Sequence, residues 1–192
     1  MSIDSSIHWS GSFAGTAGAD RYAPDSTFEL KSLAPDSIAK ALQKVERYRL
    51  LNEPAEAESI CLDVLRVDPG NQQALVMLLL ALTDQFDRGS ASGVAQAREI
   101  LPALTSEYER AYYAGIIAER RAKALVQQAA PGSASVAYDS LREAMDHYER
   151  AQSMHPAHDD SALLRWNTCA RMLMRSQHLV PRDDERMDLP LE

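Results

Sequence analysis

A chain of 192 residues with 45% apolar and 25% charged side chains can close one continuous core and carry tails, as a soluble globular protein does. Its net charge of -8 argues against a nucleic-acid binder, which needs a basic face, and is compatible with a basic partner. Three Phe and eight Gly, set against many Ala, Leu, Arg and Glu, favour helix over sheet.

Residues 1–33 are rich in Ser, Gly, Ala and Asp without sustained periodicity, and are expected to form a flexible arm. Such a composition buries too little apolar area to offset the entropy of ordering it. The arm still carries Trp9, Phe13, Tyr22 and Phe28, candidate anchors on this protein's own groove or on a partner. A tail with incidental aromatics is the simpler reading. Met1-Ser2-Ile3-Asp4 shows no basic stretch leading into an apolar core, so no secretory signal is expected.

From Ser37 to Leu51 the apolar residues Ile38, Leu42, Val45 and Leu50 fall at helical spacing. Asn52-Glu53-Pro54 breaks this helix, and Pro54 suits the first turn of the next, which carries Ala57, Ile60, Cys61, Val64, Leu65 and Val67. After the turn Asp68-Pro69-Gly70-Asn71, a third helix is expected from about Gln72 to Gln85. Its run Ala74–Leu82 is apolar on nearly every side, yet far short of the roughly 20 residues a bilayer span needs.

A helix over Val94–Leu104 follows, with Pro102 set to kink or end it. Ser106 and Glu109 form a capping box for a long helix reaching about Gln128. A sixth helix is expected from about Ser135 to Met154. A seventh runs from Asp159 to His178 with Asp159 or Asp160 as its cap. Residues 179–192 read as an acidic tail, giving a helical domain over 34–178 and no convincing strand.

One spacing occurs twice. Ala57, Cys61, Val64 and Pro69 are separated by four, three and five residues, and Ala144, Tyr148, Ala151 and Pro156 repeat those intervals. Small and apolar residues a turn apart, followed by proline, let a helix pack closely on its neighbour and then stop. These residues resemble the tetratricopeptide repeat family, whose repeats of about 34 residues are helix pairs. Leu75, Leu79 and Leu82 stand in register with Ala162, Trp166 and Cys169, whereas the middle copy, Ala97, Leu101 and Leu104, lacks the closing proline. The intervals Ala57–Ala97 and Ala97–Ala144, 40 and 47 residues, exceed the family period.

The resemblance implies an all-α, right-handed superhelix of stacked antiparallel hairpins whose concave face holds a peptide or helix. Carried onto this chain, that face takes Glu46, Arg49, Gln73, Met77, Tyr112, Glu119, Arg120, Asn167 and Arg171. Family members that grip a C-terminal carboxylate use a Lys/Asn/Arg set, but Leu42 and Glu46 stand in two of those places here, so that activity is not expected.

No phosphate-cradling glycine loop, nucleophile elbow or zinc-protease helix occurs. His155 and His158 stand near Asp159 and Asp160, but Pro156 between them makes an incidental cluster the better reading than a metal site. Cys61 and Cys169 lie in helical patterns and read as core thiols in a cytoplasmic protein. The charges on the long helix, from Glu107 to Lys123, read as a solvated face with intrahelical pairs.

The expected function is therefore that of a non-enzymatic adaptor or assembly chaperone, without cofactor or metal, holding a protein segment and neither nucleic acid nor membrane. Small acidic three-repeat chaperones of bacterial translocator proteins are similar in size and charge, though no residue selects that subgroup. The alternative is a permanent accessory subunit of a multi-protein enzyme or membrane-associated complex, anchored by the arm.

Overall fold

The computed structural model describes residues 29–88, 91–154 and 159–181. From Ser32 onward the chain forms one compact unit. The arm aromatics Trp9, Phe13, Tyr22 and Phe28, together with Pro156 and the two histidines beside it, lie outside the described residues. Seven α-helices and no strand occur among the described residues: α1 (Ile38–Leu50), α2 (Pro54–Val67), α3 (Gln72–Thr83), α4 (Ala91–Ile100), α5 (Glu107–Gln128), α6 (Ser133–Ser153) and α7 (Ser161–Arg175). None of them is long and apolar enough to cross a membrane.

Local chemistry explains where these helices begin and end. Between α1 and α2 the chain reverses through Asn52 at φ 60, a left-handed conformation that asparagine tolerates, and Pro54 opens α2. The side chain of Asn71 accepts a hydrogen bond from the Ala74 amide (3.0 Å) and donates one to Asp68 (3.0 Å), which caps α3 and pins its turn. Ser106 accepts from the Glu109 amide (3.2 Å) at the start of α5. At Pro102 the expected helix does end early: α4 stops at Ile100 and a 3-10 turn, Leu101–Ala103, follows, because proline has no amide hydrogen to continue the ladder. Asp159 accepts from the Ser161 amide (2.9 Å) and α7 closes at Arg175.

Each helix packs on the next in sequence, and α1 also packs on α3, and α3 on α5. Small residues make this possible: Ala57, Cys61 and Val64 on α2, and Ala144, Tyr148 and Ala151 on α6, are all fully buried. The doubled spacing is thus the inward edge of two helices. Helix α3 meets α1, α2, α4 and α5, which is why it is apolar nearly all round.

Two cores result, one among α1–α4 and one among α5–α7, and α5 serves both: Ile117 and Ala124 face the first, Ala111, Ala118 and Ala122 the second. Beyond α7 the chain turns back and buries Leu179 in the second core, so packing extends past the boundary expected at residue 178.

Candidate partner-binding face

Arg49, near the end of α1, and Arg120, in the middle of α5, converge on Asp84 at the end of α3. Arg49 Nε donates to Asp84 Oδ2 (2.8 Å). Arg120 Nη1 donates to the other carboxylate oxygen, to Thr83 Oγ1 (2.7 Å) and to the Leu80 carbonyl (3.3 Å), which also accepts from the Asp84 amide (2.9 Å) at the end of α3. The three ionic side chains are 22–23% exposed, so the node is held in place yet open to solvent. An open recess of about 410 Å³ lies on one side, lined by Glu46, Arg49, Leu50, Asn52 and Asp84. A smaller one of about 180 Å³ lies on the other, bordered by Asp87, Arg120 and Lys123.

The next polar group along α5 is buried. Glu119 is wholly enclosed and accepts hydrogen bonds from Tyr148 Oη (2.7 Å), from Lys123 Nζ and from Arg165 Nη1 (3.2 Å). Burial alone would raise its carboxyl; the bonds from Lys123 and Tyr148 and the charges of Lys123 and Arg165 outweigh it and hold the group below its ordinary value. Glu119 is therefore ionised in the folded protein, with its charge satisfied internally. The Tyr148 hydroxyl, buried and facing this carboxylate, is pushed well above its ordinary range.

Of the nine residues expected on a partner-binding face, Glu46, Arg49 and Arg120 come together around Asp84. Two are corrected by their burial. Met77 is 7% exposed within the first core, because α3 is surrounded by four helices, and Glu119 is turned toward α6 and α7. Tyr112 is half-buried in an aromatic row, stacked on Tyr108 (5.8 Å), edge-on to Tyr113 (5.3 Å) and tilted against Tyr148 (5.9 Å).

Gln73 is exposed at the start of α3; its neighbour Gln72 makes the bonds there, to Ala103 and Thr105. Asn167 and Arg171 sit on α7, and neither is among the residues bonded to Asp84. Asp84, Lys123 and Arg165, which organise the face, were not singled out for it, since no local pattern distinguishes them from solvated charges. The solvated-face reading of α5 does hold for the Glu107–Arg110 pair (3.5 Å).

Compared with family models, with curated proteins and with solved structures, the chain matches none.

Chemically the face is a set of fixed hydrogen-bond donors and acceptors beside recesses. Cys61 and Cys169 are both free, and burial raises each thiol to about 12, so neither is a nucleophile near neutral pH. No group of three or more metal-ligating side chains occurs among the described residues. A further recess of about 510 Å³ runs past Tyr138, Arg142, Glu143 and His147, all on α6, where Arg98 of α4 donates to Glu143 (2.6 Å).

Gly115 sets the spacing of α5 and α6. A Cβ there would stand 2.5 Å from Tyr148 Cε1, inside van der Waals contact with a ring that cannot retreat because its hydroxyl is tied to Glu119. Alanine normally improves a helix by about 1 kcal/mol over glycine. Here Gly115→Ala should instead destabilise by about 1–2 kcal/mol, since overpacking outweighs propensity. A lower denaturant midpoint with an unchanged slope is the expected readout; a raised midpoint would show that the ring can move aside.

Proposed function

We propose that this chain is a non-catalytic adaptor of tetratricopeptide-like architecture that holds a segment of a partner protein on the face formed by α1, α3 and α5. The alternation of packing, with each helix on the next and α1 on α3 and α3 on α5, supports the repeat reading, as does the burial of both copies of the doubled spacing. The observation that carries the function is the Arg49–Asp84–Arg120 node. Side chains from three helices, far apart in sequence, are locked into one partly exposed constellation between two recesses. Donors already held in place cost little ordering entropy when a ligand arrives, which favours binding over free surface charges. The reading keeps the cytoplasmic setting expected from the sequence.

Site-specific photocrosslinking tests it. A photoreactive residue at Glu46 should label the partner, whereas one at Arg142 on α6 should not. Labelling from Arg142 with none from Glu46 would move the binding surface to the opposite set of helices and end this proposal.

A further inference from the structure

Helix α7 differs in charge from the chain around it: it carries Arg165, Arg171 and Arg175 and no acidic residue, in a protein whose net charge is -8. Its inner side is accounted for, since Ala162 and Cys169 are buried in the second core and Arg165 pairs with Glu119. The opposite arc presents Leu164, Asn167, Arg171, Met174 and Arg175. Leu164 is 61% exposed and Met174 84% exposed, and no described helix covers them. Arg171 and Arg175 enter no ion pair among the described residues. The end helix of a stacked array ordinarily needs a polar outer side to stay soluble, so two large apolar side chains flanked by unpaired arginines call for a cover.

We propose that this outer face of α7 docks an acidic amphipathic helix of a partner protein. The inference rests on the reading above, that the array binds protein segments, and names the chemistry of one such segment. Charge complementarity selects the occupant. Apolar side chains on the incoming helix cover Leu164 and Met174, which lie about 15 Å apart along the axis. Carboxylates one turn apart meet Arg171 and Arg175, themselves one turn apart, where each guanidinium can bind a carboxylate through two parallel hydrogen bonds. The acidic whole-chain charge, which is compatible with a basic partner, does not describe the field at this helix.

The test is fluorescence anisotropy on the full chain with two labelled helical peptides, one built from Glu, Ala and Leu and one with Lys in place of Glu. The acidic peptide should bind and the basic one should not. Arg171→Glu with Arg175→Glu should weaken binding about tenfold or more, and Leu164→Ala with Met174→Ala should weaken it comparably. All four positions lie on the solvent side, so folding, checked by circular dichroism, should be unchanged.

Equal binding of the basic peptide, no binding of the acidic one, or indifference to both pairs of substitutions would overturn the proposal. So would binding confined to a chain shortened after Pro181, which would assign the face to this protein's own acidic residues 182–192. A dimer dissolved by the Leu164 and Met174 changes would assign it to a second copy. None of these results alters crosslinking from Glu46, so failure here is separable from failure of the adaptor reading.

Discussion

Tyr148→Ala should lower the free energy of unfolding by about 3–5 kcal/mol, the largest single-residue effect expected in this protein. Tyr148 is the largest fully buried side chain, placed where α5, α6 and α7 meet. Its ring fills the space left by Gly115 and lies against Tyr112, so truncation opens a cavity that the rigid helices cannot close. Truncation also removes the hydroxyl that donates to the buried Glu119 carboxylate.

The two contributions can be separated. Tyr148→Phe keeps the ring and loses only the hydroxyl, so about 1–2 kcal/mol is expected from a buried acceptor deprived of a donor. Urea unfolding of the three proteins measures both. If Ala costs no more than Phe, the ring is not packed as described and the α5–α6 contact rests on other residues.

The second large effect is a pH dependence centred on Glu119. Its carboxyl is held below the ordinary value of 4.5 in the folded protein, so folding favours the ionised form. A depressed folded pKa contributes stability that is fully present above the unfolded value and is lost as pH falls through the folded one. Stability should therefore decline on acidification below about pH 4.5, with Lys123 and Arg165 losing their anionic partner.

Glu119→Gln should cost about 1–3 kcal/mol at neutral pH. The cost falls below the ~3–5 kcal/mol of fully buried broken pairs because Lys123 (39% exposed) and Arg165 (35% exposed) can regain water. The variant should also flatten the acid limb. An acid limb of undiminished slope in Glu119→Gln would show that other carboxylates control acid unfolding.

The helices were legible because their signals are local. Pro54, Asn71, Ser106 and Pro102 mark starts and stops through missing amides and side-chain caps within four residues of the site they govern. The same holds for Ala57, Cys61 and Val64, or Ala144, Tyr148 and Ala151, whose spacing alone selects one side of a helix. The candidate face was only partly legible. Arg49 and Arg120 were expected there, but the Asp84 that unites them follows an apolar run and reads as its end. Met77 was expected to meet a partner although it lies in that same apolar run, and burial on all sides was the better guide.

Neighbours in sequence show why. Glu119 and Arg120 are adjacent charges on one helix, and their side chains diverge by about 100° around its axis. One direction meets Tyr148 and Arg165 and is sealed; the other crosses to Asp84 and stays open. Composition and periodicity determine that this protein is helical, where each helix stops to within a few residues and which small residues face inward, because those outcomes depend on backbone angles and residues a turn away. Which charges pair with each other and which stay open to solvent was decided by how α1, α3, α5, α6 and α7 cross, because an ion pair between residues 35 or 46 positions apart exists only once packing has brought them together.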